Sequence, residues 1–500
     1  MGSWVHPICD IDNMFCVSLV SSMGIVVVIF TIFCGWYLLS KSLVGKNKAP
    51  LPPGTFGLPF IGETLAFIRD CQANKILEDF VNPRIAKYGQ VFKTHLLLSP
   101  AVSLGAPEGN KFWFSNEYKL VQASWPRSVT RLLGGGSIFS KKGEEHKQAR
   151  HVLMAFFGPN GLQSFVPTMH KTTIAHFAQF WEGKDEIMAR NPIKHLTFSM
   201  ATDLFMSIKE GPEFYSLQHH MKAYMAGMRQ LPINFPGTIY RKAILGRENM
   251  LATLDKVICC RREDIEEGRI STHADLLSIL ISTPDQEGHL ATNEEIKDNI
   301  LSLLFAGHDT TNCTLTIVLK YLFLNPHCLH EVIKGIQKQI EVAKAGALLN
   351  WDDTRKMKYT WQVIQEALRL QPVGQMAYRE ALQEFEYGGF TIPKGWKLFW
   401  HVGRSHMSPE FFLNPKTFDP SRFGATGPPP FTYLAFGGGP HLCIGSEYAR
   451  PEMVVFLHHL VLNYEWSMVD PNEPIAMDPF PTFRKGLHLK IHKKRSSNFL

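Results

Sequence analysis

Five hundred residues with 45% hydrophobic content can bury a large core, so one domain beyond the usual ~100 to 200 residues is reasonable. The formal charge of +7 is small for this length, and outside the tail Lys493-Lys494-Arg495 no cationic run with interleaved aromatics argues for nucleic acid. Nine cysteines at positions 9, 16, 34, 71, 259, 260, 313, 328 and 443 form an odd set without metal-type pairing, which argues against a disulfide or zinc framework and for reduced thiols facing the cytosol.

Phe15 to Leu39 is an almost unbroken apolar run without a charge, longer than the ~20 residues that a membrane-spanning helix needs. Asp10 and Asp12 precede it and Lys41, Lys46 and Lys48 follow, which puts the N-terminus in the lumen and the body in the cytosol. A cleaved signal peptide is the alternative, but the run exceeds an h-region and no small-x-small site clearly follows. Pro50-Leu-Pro-Pro-Gly54 then reads as a stiff spacer. The expected division is 1–48 for the lumenal end and anchor (helix about 15–39), 49–55 for the hinge and 56–500 for one catalytic body.

The body opens with a helical pattern around Thr64 to Phe80 and a strand-like run from Val91 to Leu98. Lys142 to Arg150 starts another helix, with His146 and Arg150 four apart on one face; a solvated charged face is the alternative. Leu162 to Thr283 reads as amphipathic helices broken at Gly211-Pro212 and Phe235-Pro-Gly237 and carries no legible chemistry. Thr292-Asn-Glu-Glu295 has capping-box spacing, and the pattern then runs unbroken to Asn325-Pro326, about 50 Å at ~1.5 Å per residue. At its middle, Ala306-Gly-His-Asp-Thr-Thr311 crowds a glycine and two β-branched threonines into a helix, and such local rule-breaking suggests function. A hydroxyl beside a carboxylate, Thr310 next to Asp309, can relay protons through water. A polar helix kink is the alternative.

Glu366-Ala-Leu-Arg369 puts two opposite charges on one face of a helix from Thr360 to Leu370; a surface ion pair is the alternative, and most such pairs contribute little. Phe385 to Trp400 alternates and turns like a hairpin. In Phe436-Gly-Gly-Gly-Pro-His-Leu-Cys-Ile-Gly445 one cysteine follows a glycine run and precedes a helical pattern of Ala449, Met453, Phe456 and Leu460. Cys443 reads as a metal-bound thiolate: glycines let the backbone approach a flat cofactor, and turn amides with the helix dipole favour the anionic sulfur. A thiolate on haem iron favours O–O cleavage, which also needs delivered protons, and Gly307 would leave room for dioxygen above the iron. A buried cysteine in a glycine-rich turn is the alternative. Pro451, inside the helix that follows, predicts a kink or a late helix start at about 3 kcal/mol.

The cysteine loop resembles that of the cytochrome P-450 family: Phe436, Gly439, Cys443 and Gly445 match its pattern, and His441 stands where arginine is usual. Ala306 to Thr310 resembles the family's oxygen-activating helix motif, and Glu366 with Arg369 its Glu-x-x-Arg, in the family's order. The resemblance implies a mainly α fold with a smaller β-rich subdomain, preceded by one transmembrane helix. It implies haem b ligated by Cys443, with Phe436, Gly437, Gly439, Gly445, Ala306 and Gly307 lining the cofactor. Arg150 and His146 (the latter replacing tryptophan) and His441 would meet the haem carboxylates. Asp309 and Thr310 would be catalytic, and Arg422 from Phe418-Asp-Pro-Ser-Arg-Phe423 would complete a structural trio with Glu366 and Arg369. O2 and NADPH-derived electrons from an NADPH-cytochrome reductase, a lipophilic small-molecule substrate and an endoplasmic reticulum membrane follow from the same resemblance.

Leu51 to Glu63, Ser115 to Trp125, Met357 to Glu366 and Thr391 to Lys397 resemble a plant branch of amyrin-type triterpenoid oxidases and taxane hydroxylases, the latter more closely. This implies a polycyclic terpenoid substrate facing Phe305, Val373, Gly374, Gln375 and Met376. The segment Val373 to Ala377 is shorter than in taxane relatives, so the particular carbon does not carry over. Three alternatives stand beside terpenoid hydroxylation: a haem-thiolate isomerase or dehydratase without O2, which usually loses the acid–alcohol pair; a haem-containing binding protein; and a monooxygenase of sterols, fatty acids or other lipophiles.

Overall fold

The structure, a computed structural model, describes Gly35 and residues 49–228, 230, 232–342, 348–478 and 480–494. The expected anchor at about 15–39 lies outside the described residues apart from Gly35, and among the described residues no helix is long and apolar enough to cross a membrane. Seven helices position the site: α1 (Gly143–Phe157), α2 (Arg190–Met206), α3 (Pro212–Gly227), α4 (Ile239–Glu266), α5 (Asn293–Leu324), α6 (Lys358–Leu370) and α7 (Ser446–Asn463).

Helix α5 starts where its capping box predicts, with Glu295 N–H donating to Thr292 Oγ1 at 3.2 Å and Thr292 N–H to Glu295 Oε2 at 2.9 Å. Apolar residues on every side of it are buried, among them Ile300, Leu304, Leu315, Val318 and Leu322, so α5 is the axis of the main core. Pro212 takes the first turn of α3, where its missing N–H costs nothing, and Thr238 caps α4. These two helices pack closely because Gly227 lies where a Cβ would stand 2.2 Å from Ala243 Cβ. Helix α7 begins at Ser446, five residues before Pro451, so the late start does not occur. The proline removes a single bond, the one to the Glu447 carbonyl in the first turn.

The β-rich part is built on β1 (Phe92–Leu96), β2 (Ser99–Ser103), β3 (Val121–Ala123), β4 (Met376–Ala381) and β5 (Lys397–His401), in the order β1-β2-β5-β4-β3. Pairing is antiparallel except β2 with β5. The predicted hairpin is shorter than expected: Phe385–Tyr387 pairs with Phe390–Ile392 across Gly388 and Gly389, at φ 59° and 79°, while Lys397 onward joins the larger sheet. The helical pattern from Thr64 divides at Asn74 (φ 57°) into Thr64–Gln72 and a π-turn Ile76–Val81. The proline-rich segment is docked, accepting from Thr391 N–H through Pro50 C=O (3.0 Å) and from Lys93 N–H through Pro53 C=O (2.8 Å).

Candidate active site

Gly437 and Gly439 adopt φ 74° and 64°, left-handed conformations that favour glycine, and a Cβ on Gly438 or Gly439 would fall 2.7 or 2.9 Å from Phe114. The loop they shape closes with Cys443 N–H donating to Phe436 C=O at 2.9 Å. Cys443 is solvent-accessible, yet enough protein surrounds it that burial pushes its thiol pKa up, against the N–H groups of Gly445 and Ser446 and the Arg150 guanidinium. Arg150, from α1, donates to the Leu442 carbonyl at 2.8 Å and so holds the loop beside the cysteine.

In α5, Phe305, Ala306, Gly307 and Thr310 are only partly buried, within a stretch where most neighbours are fully buried. Thr310 Oγ1 donates to Ala306 C=O at 2.5 Å, and Thr311 and Thr314 make the same bond to Gly307 and Thr310, each at 2.9 Å. The Thr310 hydroxyl thus holds its proton on the backbone and offers its lone pairs outward. Asp309, projecting about 100° round the helix, turns instead to α2, where Lys194 Nζ lies 3.0 Å from its Oδ1. Burial alone would raise this carboxyl; Lys194, His308 and Arg190 hold it below the usual range. Any relay between the two therefore runs around the helix through an intermediary. A Cβ on Gly307 would lie 3.6 Å from the Phe205 ring of α2, an ordinary contact distance.

Beside the cysteine loop a polar corner joins four chain segments. Arg379 of β4 donates to Glu117 Oε2 at 2.5 Å, and Glu117 Oε1 stands 3.4 Å from His441 Nε2. The rings of His441 and His146 are 4.0 Å apart, and Tyr118 Oη lies 2.6 Å from His146 Nδ1. Glu117 Oε1 and His441 Nε2 are both buried without a hydrogen bond. His146 was expected here, whereas Glu117, Tyr118 and Arg379 were not singled out. Register could have found them, since β3 pairs Ala123 with Arg379.

Glu366 and Arg369, from α6, are fully buried and joined by two bonds of 2.7 and 2.8 Å. Arg369 also donates to the carbonyls of His406, Pro415 and Thr417, and Asp419 N–H donates to Glu366. Arg422 Nε stands 3.4 Å from Glu366 Oε1. Of the residues expected to face a substrate, Phe305 meets Phe480 and Tyr224 at ring distances of 5.8 and 6.1 Å. Val373 is buried in the main core, Gly374 is exposed, Met376 opens β4, and the Gln375 amide donates to Asn74 at 2.7 Å.

A buried core on one long helix, a thiol at the mouth of a glycine-shaped loop and an interior Glu–Arg lock define a haem-thiolate protein. The cytochrome P-450 family profile matches residues 52–493, and the chain belongs to that family and is a P-450 monooxygenase, an oxidoreductase. It is 41% identical to a beta-amyrin 28-monooxygenase of Kalopanax septemlobus, covering 93% of this chain and 96% of that one. It is 40% identical to a beta-amyrin 16-beta-monooxygenase of Platycodon grandiflorus, covering 93% and 97%. Among solved structures, retinoic acid bound cyanobacterial CYP120A1 superimposes with a TM-score of 0.80 at 32% identity, covering 89% of this chain and 100% of that one.

The residues fit the haem iron that the family carries. Cys443 would supply the thiolate donor, and the glycine loop leaves no side chain between Phe114 and the backbone. The buried, unbonded His441 Nε2, with Arg150, Arg379 and His146, would hold the carboxylates. When bound, such a group activates dioxygen; the protein's own part is to hold the sulfur, pin the carboxylates and present the Thr310 hydroxyl.

Proposed function

We propose that this chain inserts one oxygen atom into a beta-amyrin-type triterpenoid, using electrons from NADPH delivered by a cytochrome reductase. The observation that carries the reading is near-full-length identity of about 40% to enzymes named for oxidising beta-amyrin at two positions, 28 and 16-beta. Agreement on the skeleton and disagreement on the carbon support a substrate class and leave the position open. Chemically, the partly buried Phe305 and Phe480, with ring centres 5.8 Å apart, offer an apolar surface suited to binding by buried area at roughly 25 cal/mol per Å². Arg355, Lys356, Lys358 and Arg450 line one surface cleft with Asp352, which supports an acidic electron donor. Haem b as the cofactor, the Phe15 to Leu39 anchor, a lumenal N-terminus and the endoplasmic reticulum membrane belong to the same proposal.

The test is co-expression with a plant reductase in a host making beta-amyrin, with a taxane-producing host in parallel, and mass spectrometry for a gain of one oxygen. Oxidation of beta-amyrin that requires O2 and NADPH is expected. Conversion only of the taxane scaffold, or of a fatty acid, would overturn the triterpenoid reading, and conversion without O2 would return the isomerase alternative.

A further inference from the structure

His146 and His441 replace the usual tryptophan and arginine of the family, and the structure puts the two replacements in ring contact at 4.0 Å. Tyr118 Oη and His146 Nδ1 are joined by a hydrogen bond of 2.6 Å. A phenol O–H is a stronger donor than a neutral imidazole N–H, and an imidazole nitrogen is a stronger acceptor than a phenol oxygen, so the phenol donates and Nδ1 accepts. Burial raises the phenol's pKa to about 12 and keeps it protonated. Burial, then His441 and Arg150, lowers His146 to about 3 and keeps it neutral. With Nδ1 accepting, the ring's one proton sits on Nε2.

Tyr118 is held for this task at a local cost. Its φ is 65°, a conformation in which a bulky side chain is strained by about 1–3 kcal/mol, and the turn is fixed by Tyr118 N–H donating to Val121 C=O at 2.8 Å. His146 is only 3% exposed, so its ring has little freedom to turn over.

We propose that Tyr118 is a positioning residue for haem: it fixes His146 as an Nε2–H donor, so that the Tyr118–His146 pair does for a haem carboxylate what one indole N–H does in relatives. The inference rests on the haem reading, which the absorption of the reduced, carbon monoxide-treated protein checks separately. Tyrosine, histidine and tryptophan are then interchangeable only as units: Tyr with His, or Trp alone.

The test is the rate at which the ferric protein and its variants give up haem to apomyoglobin, followed by absorbance at neutral pH. Tyr118→Phe should speed the transfer about tenfold, the size of one hydrogen bond. His146→Trp should transfer at close to the starting rate, and adding Tyr118→Phe to it should change nothing. If His146→Trp fails to load haem, His146→Gln replaces it, because the glutamine amide donates from the Nε2 position without needing a phenol partner; it too should be insensitive to Tyr118→Phe. Equal acceleration by Tyr118→Phe in every background would overturn the proposal, since the phenol would then bond haem itself. No acceleration in the otherwise unaltered protein would overturn it as well. A missing thiolate-type carbon monoxide band in the unaltered protein would bring down the haem reading and the proposal together.

Discussion

Two buried glutamate–arginine pairs in this molecule end differently. Around Glu366 and Arg369 the central pair is satisfied: Arg369 bonds one carboxylate and three backbone carbonyls, and Glu366 takes a backbone N–H besides, leaving only the outlying Arg422 Nε, 3.4 Å from Glu366 Oε1, buried without a hydrogen bond. Around Glu117 and Arg379 the carboxylate itself is incomplete, because Glu117 Oε1 makes no hydrogen bond and faces only the His441 ring, 3.4 Å away. Burying charge is costly, and only complete hydrogen bonding offsets the desolvation. A closed pair can therefore serve the fold alone, while an open one fits a site whose last partner is a ligand.

The comparison is broken most forcefully at the closed pair. Arg369→Ala strips the buried Glu366 of its two-bond partner, leaving Asp419 N–H and the more distant Arg422, which costs about 3–5 kcal/mol, a large part of the stability of a typical domain. We expect no soluble haem-loaded protein, measured as yield and absorbance. Glu117→Gln at the open pair should cost less than half as much in urea titrations while weakening haem retention. Equal losses at both pairs would remove the distinction. Next in size, Cys443→Ala should keep the fold, by circular dichroism, but lose the thiolate-type carbon monoxide band and all product; a retained band would move the ligand elsewhere.

Thr310→Ala is smaller and leaves both pairs intact. Acid–base groups contribute roughly 10²- to 10⁴-fold, so product per NADPH should fall by at least about tenfold while NADPH consumption continues and hydrogen peroxide rises. The Thr310 bond to Ala306 is one of three such hydroxyl bonds in α5, so thermal stability should hardly move. Unchanged coupling would assign proton delivery to another group.

Legibility from sequence follows the same division. Glu366 with Arg369, and Cys443 with its glycines, each sit within one short segment whose spacing fixes their geometry, so both were readable. The open corner was readable only in part: the resemblance named His146 and His441, whereas Glu117 and Arg379 are 262 residues apart and are brought together beside the pairing of β3 with β4. The Asp309 ion pair was hidden for a related reason: adjacency to Thr310 in sequence gave no sign that Lys194 of α2 would claim the carboxylate.

The smallest expected effect separates the two regions by pH. His406 belongs to the closed circuit: Nδ1–H donates to Arg369 C=O at 3.1 Å and Nε2 accepts from Leu434 N–H at 2.9 Å, so the fold needs the neutral ring. Burial, then the Arg369 charge, pushes its pKa down to about 3. In the unfolded chain a histidine titrates near ~6.5. Between those values the unfolded chain binds a proton that the folded one refuses, so stability is full above about 6.5 and declines as pH falls toward 3, by at most ~1.4 kcal/mol per pH unit for one group. His146 in the open corner is lowered to about 3 as well, and carries the same sign. Burial lowers His176, His308, His401, His458 and His459 in the same window, so urea titrations of the full chain, repeated with His406→Asn and with His146→Gln, isolate these two shares from a common background. The asparagine amide can still donate to Arg369 C=O, so the variant should lose about 1–3 kcal/mol at neutral pH, from the Leu434 bond, and show a shallower acid slope. If its slope is unchanged while His146→Gln flattens the curve, acid sensitivity lies in the corner, and the closed pair is insulated from pH as well as from ligand.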